Sequence, residues 1–539
     1  MTSGTDRLIA GPADWETLRR DFTWPDFDHF NIAEAVCDKW ADACPERIAL
    51  IHPRDGMDAK HYSFGELSRL SGKFASVLKH GGFARGDRLA VLLGQVPETL
   101  LAHLSTYKLG GIVVPLFTLF GEDGLKIRLK DSGAKVVVTD RANLPKILNI
   151  APDLPDLEDV FCVDGSDGVR DFWGAVLAAR NDAEPVETKP DTPALLVYTS
   201  GTTGPPKGAL HGHRVLLGHL PGVETHHDFF PQDNDLMWTP ADWAWMGGLM
   251  DALMPSLYYG VPVLAHRLAK FEPKAAYDLM IEYGVRNVFM PPTALKFLRQ
   301  MEPPSGLNLR TVASGGEALG AELLEWGRAS LGLTINEFYG STECNLVLGN
   351  SSGVLEPKPG STGRAVPGKD VAVIDAAGDV LPAGETGEIA VKRGDPAMFL
   401  EYWGRPNKTA EKFAGDWLRM GDEGYMDEEG YVFFTARTDD VITSAGYRIG
   451  PAEIENCLSG HEAVAMAAAI GVPDAERGEV VKAFVVMSGG FTLDGLEEEL
   501  IARVRDRVSP HVAPKSIVAI EALPVTATGK IMRRELKEV

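Results

Sequence analysis

Short apolar runs alternate with helical segments between residues 62 and 199, and this alternation most constrains the fold. Ser63 followed by Glu66 forms a capping-box pattern, which predicts the start of a helix. Strands separated by helices imply parallel sheets joined by βαβ crossovers, so we expect an α/β fold. The predicted helices span residues 63–78 and 97–108, and the predicted strands span residues 87–93, 112–116, 134–139 and 194–199.

The chain has 539 residues, too many for one compact core, so at least two domains are expected. From about Gly360, short β-like runs are broken by glycine and proline, which predicts a β-rich subdomain. A compact α+β unit is expected beyond residue 439, with helices at 451–458 and 493–508 and strands at 463–472 and 481–487. The expected domains are therefore a large N-terminal one, residues 1–438, and a small C-terminal one, residues 439–539.

Charge limits the partners of this protein. The chain carries 76 acidic and 53 basic residues, a net charge of -23. Such a surface repels nucleic acid backbones and anionic membranes, so neither nucleic acid binding nor stable membrane insertion is expected. If the substrates are anions, the site must supply its own positive groups.

Cysteine usage indicates the compartment. Five cysteines lie scattered without a CxxC pair, which predicts free thiols in a reducing cytoplasm. The N-terminal residues lack the apolar segment of a signal peptide. The most apolar stretch, residues 100–120, is interrupted by Lys108, two glycines and Pro115. We therefore expect a helix followed by a buried strand there, and no membrane span.

The strongest local signal is the string YTSGTTGPPKG at residues 198–208. Its glycines can bring backbone N–H groups close to a bound phosphate, and Lys207 adds a positive charge. The string is not a Walker A loop, because neither Ser nor Thr follows the lysine. A glycine-rich turn that binds nothing is the alternative. The candidate phosphate-binding residues are Thr199, Ser200, Gly201, Thr202, Thr203 and Gly204.

The string resembles the phosphate loop of the adenylate-forming (AMP-binding) superfamily, which includes acyl-CoA synthetases, aryl-CoA ligases, luciferases and adenylation domains of peptide synthetases. Four further stretches resemble this superfamily in order along the chain. They are ASGGEAL at 313–319, EFYGSTE at 337–343, the segment 421–455, and PVTATGKIMRREL at 524–536. Five ordered matches make a coincidental glycine turn a poor explanation. Residues 241–264 are most similar to the acetyl-CoA and medium-chain synthetase branch.

The resemblance implies a reaction in two steps. A carboxylic acid reacts with ATP, in the presence of Mg²⁺, to give an acyl adenylate, and the acyl group then passes to coenzyme A. Two anions meet in the first step, so the site needs cations and fixed donors and not a covalent nucleophile. By resemblance, Lys530 bridges the carboxylate and the α-phosphate, Thr342 binds the α-phosphate, and Glu343 is the magnesium ligand.

The resemblance also assigns the nucleotide contacts. Asp422 matches the carboxylate that accepts both ribose hydroxyls, and Arg437 lies beside it. Arg448 matches an arginine that contacts phosphate. The residues expected around the adenine are Gly315, Gly316, Glu317, Glu337, Phe338 and Tyr339.

The resemblance places a hinge at Asp439, about which the small domain rotates between two poses. One pose inserts the lysine loop for adenylation, and the other presents Gly446 and Tyr447 beside the pantetheine tunnel. Arg505 lies where some family members contact a phosphate of coenzyme A. Ala436 and Ser444 depart from the glycine and lysine common at these positions, which leaves the fine geometry of the hinge face open.

The acyl pocket is expected along Trp243, Trp245 and Met246, although both tryptophans also fit plain core packing. In acetyl-CoA synthetases a tryptophan three residues before the glutamate closes the pocket, and Gly340 occupies that position here. We therefore expect a deeper pocket and a short-to-medium-chain acid larger than acetate, including branched or sulfur-containing acids such as 3-methylmercaptopropionate. Tight packing around Gly340 is the alternative.

Other functions stay open at this point. The chain could be an aryl (benzoate-type) CoA ligase, an adenylation enzyme that loads a carrier protein in trans, or a non-catalytic acyl- or nucleotide-binding protein. His211 and His213 are interpreted as alternate residues of a strand and not as metal ligands. Related synthetases are inactivated by lysine acylation, so Lys530 is a candidate target of a lysine acetyltransferase. Assembly into an oligomer is left open.

Overall fold

The computed structural model describes residues 7–54, 56–199, 206–268, 270–437, 440, 442–444, 447–474, 478–508, 510, 512–525 and 531–537. Several predicted site residues lie outside the described residues, namely Ser200, Gly201, Thr202, Thr203, Gly204, Asp439, Gly446 and Lys530. For Tyr447 and Arg448 only the backbone is described.

Local sequence signals set the first elements of the N-terminal domain. The Ser63 hydroxyl accepts a hydrogen bond of 3.2 Å from the Glu66 N–H, which caps the helix Phe64–His80 as predicted. Pro97 begins the predicted helix Pro97–Lys108, and the buried strand Ile112–Pro115 follows. The apolar stretch is thus a helix and a strand, and none of the described helices is both long and apolar enough to span a bilayer.

The first large sheet has eight strands and contains the strand that precedes the phosphate loop. Its six consecutive strands from Pro193–Thr199 to the far edge are parallel, as predicted, and two antiparallel strands close the other edge. In spatial order the strands are Glu401–Tyr402, Lys207–Gly212, Pro193–Thr199, Ile112–Pro115, Arg88–Leu92, Val136–Thr139, Asp159–Cys162 and Arg170–Asp171.

The second large sheet has nine strands and carries the two motifs expected around the adenine. Its parallel part runs from Ile335–Tyr339 to Ile48–Arg54. In spatial order the strands are Arg364–Ala365, Leu348–Gly349, Ile335–Tyr339, Thr311–Gly315, Asn287–Phe289, Met237–Trp238, Val263–Leu264, Ile48–Arg54 and Met57–Ser63.

The expected β-rich subdomain is present as a five-stranded antiparallel sheet. Its strands are Val371–Ile374, Gly387–Lys392, Trp417–Met426, Phe413–Ala414 and Val432–Arg437. The last strand pairs with Trp417–Met426 so that Asp422 lies opposite Arg437. Two residues far apart in the expected ribose motif are thereby brought side by side.

The C-terminal region forms a separate five-stranded sheet covered by helices. Its strands are Tyr447–Ile449, Ile442–Ser444, Gly478–Met487, Val464–Asp474 and Ser516–Ala519. The helix Pro451–Ser459 agrees with its prediction, but the helix predicted from residue 493 begins only at Glu497. Gly495 has a φ of +80°, which is incompatible with a helix, so the residues before it form a turn.

The remaining helices lie between the strands along the chain and near its two ends. The α-helices are Trp15–Asp21, Lys39–Ala43, Glu122–Ser132, Leu144–Ile150, Phe172–Ala178, Val215–His226, Met254–Tyr258, Pro273–Tyr283, Pro292–Leu298, Ala321–Trp326, Pro406–Glu411 and Arg533–Leu536. The π-helical turns are Glu34–Asp38, Gly247–Leu253 and Gly327–Leu331, and Ala151–Asp153 is a 3₁₀ turn.

Candidate active site

Two parallel strands of the nine-stranded sheet end side by side at the expected adenine region. Gly315 pairs with Phe338 across the strands Thr311–Gly315 and Ile335–Tyr339. A Cβ atom on Gly315 would lie 2.6 Å from a ring carbon of Phe338, so only glycine fits there. Gly316 follows with a φ of +93°, where other residues are strained. The two glycines therefore form a tight turn, and Gly315 places no side chain against the Phe338 ring.

Acidic residues flank this turn. The Thr293 hydroxyl donates a hydrogen bond to the Glu317 carboxylate, and its oxygen lies 2.9 and 2.8 Å from the two carboxylate oxygens. Glu337 is buried, and its Oε1 accepts a bond of 3.0 Å from the Leu319 N–H. Burial raises the pKa of Glu337 to about 8, so this carboxyl is mostly protonated at neutral pH.

Of the three residues expected in the acyl pocket, Trp245 reaches the glycine turn. A Cβ atom on Gly316 would lie 2.8 Å from the Trp245 ring, and this half-buried ring packs against Phe289 at 5.6 Å between centroids. Trp243 and Met246 are buried in the main apolar core, as the packing alternative requires. Of these three side chains, Trp245 is therefore the one that lies beside the glycine turn and is partly exposed.

The expectation for Gly340 requires correction. A Cβ atom at Gly340 would lie 2.4 Å from the backbone nitrogen of Leu346 and 2.7 Å from the Cα of Asn345. Backbone atoms fill the space where a side chain would begin, so the glycine is required by close packing of the chain on itself. Its presence therefore does not indicate an open extension of the pocket.

Tyr339 connects the expected adenine and ribose motifs. Its hydroxyl donates a hydrogen bond of 2.5 Å to Oδ2 of Asp422, whose Oδ1 lies 3.7 Å from Nε of Arg437. Burial and the neighbouring Asp422 both raise the pKa of the Tyr339 hydroxyl, so it stays protonated and acts as the donor. One oxygen of Asp422 is thus held by a fixed donor while the other faces a cation.

Glu343 lies in a second group of polar side chains. It is 8% exposed, and its Oε1 accepts a hydrogen bond from the Tyr402 hydroxyl. Nζ of Lys207 lies 4.6 Å from the centre of the Tyr402 ring. Burial would favour the neutral acid, but the charge of Lys412 and the Tyr402 hydrogen bond outweigh it and hold the pKa of Glu343 below its ordinary value. Glu343 is therefore an ionised carboxylate despite its burial.

Lys412 stands at the boundary between these two groups. Its Nζ donates a hydrogen bond of 3.0 Å to the carbonyl of Arg419 and would lie 3.7 Å from a Cβ on Gly421, the residue before Asp422. Burial lowers the pKa of Lys207, and Glu343 opposes that shift. The arrangement therefore places two lysines around one ionised glutamate, in a protein whose overall charge is strongly negative.

The residues present fit a magnesium ion that is held mainly by phosphate. Mg²⁺ in nucleotide sites is bound through one or two carboxylates together with phosphate oxygens and water. Glu343 supplies one ionised carboxylate, and the described ranges contain no group of three or more His, Cys, Asp or Glu able to hold a metal by itself. Glu343 would thus be the protein ligand, and the nucleotide would have to supply the others.

The remaining predicted residues differ in their placement. Thr342 and Thr199 are half-buried, and the Thr199 hydroxyl donates to the carbonyl of Lys207 at 3.4 Å. Arg505 is exposed on the helix Glu497–Arg507. His211 and His213 are both buried. His213 lies just beyond the strand Lys207–Gly212, and its Nδ1 accepts a hydrogen bond of 3.1 Å from the Ile32 N–H.

Sequence reasoning missed Tyr402 and Lys412. Tyr402 is 59 positions from Glu343 along the chain and lies outside every motif that carries the resemblance. Lys412 follows the helix Pro406–Glu411 and is one of several charged residues there. Nothing in the local pattern distinguishes either residue, because their roles depend on the contact between two sheets.

Comparisons with known proteins show the family of this chain. A sequence profile of the AMP-binding enzyme family matches residues 37–403, and a profile of the AMP-binding enzyme C-terminal domain matches residues 453–530. The mitochondrial acyl-coenzyme A synthetase ACSM3 of Mus musculus is 34% identical to this chain in sequence. The match covers 98% of this chain and 93% of the mouse protein. The acetyl-coenzyme A synthetase of Bacillus subtilis (strain 168) is 35% identical, and the match covers 97% of this chain and 93% of the bacterial protein.

A solved structure is similar over nearly the whole chain. The benzoate CoA ligase from Burkholderia xenovorans LB400 superposes with a TM-score of 0.82 at 28% identity, covering 94% of this chain and 100% of its own. The similarity therefore extends over both the large sheets and the C-terminal region.

Proposed function

Because this chain belongs to the AMP-binding enzyme family, we propose that it joins a short-to-medium-chain carboxylic acid larger than acetate to coenzyme A. It is an AMP-forming acid–thiol ligase of the acyl-CoA synthetase type, and it uses ATP, Mg²⁺ and coenzyme A. The observation that carries the ligase assignment is the similarity to acyl-CoA synthetases over almost the full length of the chain.

In the first step a carboxylate oxygen of the acid attacks the α-phosphorus of ATP, and the bond to pyrophosphate breaks. Asp422 would accept the ribose hydroxyls, with Tyr339 and Arg437 fixing its orientation. Lys207 and Lys412 would offset the negative charge of the phosphates, and Glu343 would hold Mg²⁺. When bound, Mg²⁺ supplies charge neutralisation at the leaving pyrophosphate.

In the second step the thiol of coenzyme A attacks the acyl carbonyl carbon, and AMP leaves. We propose that residues 439–539 rotate about Asp439 between the two steps, with Lys530 serving the first step and Gly446, Tyr447 and Arg505 the second. The match of a separate C-terminal family profile to residues 453–530 supports treating this region as an independent unit. The glycine turn and Trp245 would remain fixed while this unit changes position.

The size of the acid rests on the apolar wall formed by Trp245. This ring is half-buried beside the glycine turn and packed on Phe289, so its exposed part offers apolar surface beside that turn. Each methylene buried on such a surface contributes about 0.8 kcal/mol. The specificity constant should therefore rise over the first few carbons beyond acetate.

A panel of acids tests this proposal. We expect kcat/KM to be low for acetate and to increase roughly 4-fold for each of the first added methylenes, the rate equivalent of about 0.8 kcal/mol. Branched acids and 3-methylmercaptopropionate belong in the panel with straight chains from two to ten carbons. Trp245→Ala should flatten the dependence on chain length, while the matched core variant Trp243→Phe should retain it. A wild-type preference for acetate would contradict the proposal.

An aromatic acid is the second candidate. The half-buried Trp245 ring is aromatic and is backed by the buried Phe289 ring, and the structurally similar protein from Burkholderia xenovorans is named a benzoate CoA ligase. Including benzoate and anthranilate in the panel separates the candidates. A specificity constant for benzoate above that of every aliphatic acid would replace the aliphatic proposal with the aromatic one.

We also propose that acylation of Lys530 by a lysine acetyltransferase inactivates the enzyme, because it would remove the charge required at the α-phosphate. Acetyl phosphate or a purified acetyltransferase should modify Lys530 and lower adenylation in proportion to occupancy. Full activity of the modified protein would contradict this. We further propose a cytoplasmic location, since all five cysteines are free thiols, and cell fractionation tests it.

A further inference from the structure

Both ends of the phosphate loop are tied to one ion pair that lies outside the loop sequence. At the first end, the Tyr198 hydroxyl donates a hydrogen bond of 2.8 Å to Oδ2 of Asp131. At the other end, Nη1 of Arg405 donates to the carbonyl of Pro206 at 3.2 Å. Nη2 of the same arginine lies 2.7 Å from Oδ1 of Asp131. Asp131 thus connects residues on both sides of segment 200–205.

The surroundings reinforce this connection. Nε1 of Trp403 donates to the backbone carbonyl of Asp131 at 3.1 Å, and the backbone N–H of Trp403 donates to the carbonyl of Gly208 at 2.8 Å. Four segments therefore meet around Asp131. They are the helix Glu122–Ser132, the two strands that flank the phosphate loop, and the segment that leads into the helix Pro406–Glu411. Each oxygen of that carboxylate has a different partner.

The protonation states suit a permanent clamp. Burial and the neighbouring Asp131 raise the pKa of the Tyr198 hydroxyl, so it remains a donor throughout the physiological range. Arginine stays charged in proteins. The side chains of Arg405 and Asp131 are 29% and 23% exposed, so solvent screens their attraction less than that of a surface pair.

Anchoring the ends of a glycine-rich loop has a consequence for binding. Closing a loop around a ligand costs conformational entropy, and that loss weakens binding. Fixing the positions of Tyr198 and Pro206 beforehand reduces the loss. It also orients the strand that begins with Lys207, whose ammonium lies close to the Glu343 group.

We propose that Asp131 and Arg405 are positioning residues that hold the two ends of the phosphate loop, Tyr198 and Pro206, in place for binding of the β- and γ-phosphates of ATP. The inference rests on the proposed function, since it concerns the step that consumes ATP. The thioester step starts from acyl-AMP, which has neither of these phosphates. Loss of the clamp should therefore slow adenylation and leave thioester formation from acyl-AMP intact.

The experiment compares both half-reactions in the full-length protein. Asp131→Asn removes the ion pair but retains a similar shape, and Tyr198→Phe removes only one hydrogen bond. The matched control is Asp153→Asn, which removes the exposed ion pair with Lys126 on the same helix without touching the loop. We expect Asp131→Asn to raise KM for ATP roughly 10-fold, with a smaller rise for Tyr198→Phe. Asp131→Glu should recover part of the loss.

The rate of thioester formation from synthetic acyl-AMP should stay within about twofold of wild type for all variants. An unchanged KM for ATP in Asp131→Asn, or equal loss of both half-reactions, would overturn the inference. If Asp131→Asn does not fold, Tyr198→Phe and Arg405→Lys give the same comparison. If wild type releases no pyrophosphate with any acid, the proposed function fails, and equilibrium binding of ATP to wild type and Asp131→Asn still tests the clamp.

Discussion

The Tyr339 hydroxyl donates a 2.5 Å hydrogen bond to the carboxylate of Asp422, which is 83 positions further along the chain. The bond joins the nine-stranded sheet to the β-rich subdomain at the point where a nucleoside is expected. It fixes one oxygen of Asp422 and leaves the other beside Arg437. The bond therefore holds the two motifs in a defined position relative to each other.

Tyr339→Phe tests that relationship. Removing a donor to a charged acceptor costs about 1.5–3 kcal/mol, so KM for ATP should rise roughly 10-fold or more, with a smaller change in kcat. Steady-state kinetics with varied ATP measures this. Tyr431→Phe is the control, because its hydroxyl donates only to the backbone carbonyl of Glu356. Equal effects of the two variants would mean that the Tyr339 bond has no special role.

Glu343→Gln should mainly affect the magnesium-dependent step. It retains the shape of the side chain and removes the ionised carboxylate, so pyrophosphate release should fall roughly 100-fold and need more Mg²⁺. Removal of Mg²⁺ with EDTA should stop pyrophosphate release by wild type. Tyr402→Phe, which removes the hydrogen bond to Glu343, should have a smaller effect in the same direction. A Mg²⁺ dependence identical to wild type in Glu343→Gln would contradict the assignment.

Glu337 should make stability depend on pH. Its pKa is raised by burial to about 8, above the value of 4.5 expected when the chain unfolds. The contribution of Glu337 to the free energy of unfolding is therefore complete below about pH 4.5. It decreases by on the order of 1 kcal/mol per pH unit as the pH rises toward about 8. Glu337→Gln retains an oxygen to accept from the Leu319 N–H but does not titrate.

Thermal unfolding between pH 5 and pH 8.5 checks this prediction. The Tm of Glu337→Gln relative to wild type should increase with pH up to about 8 and then level off. The exposed Glu385→Gln variant should show no such trend. A constant Tm difference across this range would show that Glu337 is not a buried, protonated carboxyl.

Lys530→Ala should separate the two half-reactions. Its charge is required only while the α-phosphorus is under attack, so acyl-AMP formation should be lost and thioester formation from synthetic acyl-AMP should be retained. Pyrophosphate release and thioester formation are measured separately on the same preparation. Comparable loss of both reactions in a folded variant would refute this role.

Local patterns predicted the elements well where one residue type decides the geometry. Ser63 with Glu66 and Pro97 identified two helix starts, and the predicted strands agree with the structure to within two residues in the first sheet. The helix predicted from residue 493 was wrong at its start, because the positive φ of Gly495 favours a turn.

The site was harder to predict where contacts in the folded chain, which no sequence motif shows, decide the outcome. Gly340 was interpreted as the absence of the tryptophan that closes the pocket in acetyl-CoA synthetases. In the structure, the backbone of Asn345 and Leu346 occupies the space beside it. Asp131 and Arg405 are 274 positions apart, and no local pattern connects them. They become neighbours because the helix Glu122–Ser132 and the segment that follows the edge strand Glu401–Tyr402 meet in the folded chain.

The central claim is that the protein makes acyl-CoA by way of an acyl adenylate. The most direct measurement supplies ATP, Mg²⁺ and the panel of acids, quantifies pyrophosphate, and then adds coenzyme A and quantifies thioester and AMP. We predict pyrophosphate release with an acid larger than acetate, followed by equal amounts of AMP and acyl-CoA. Pyrophosphate without thioester would indicate an enzyme that loads a carrier protein, and the absence of pyrophosphate with every acid would contradict the account.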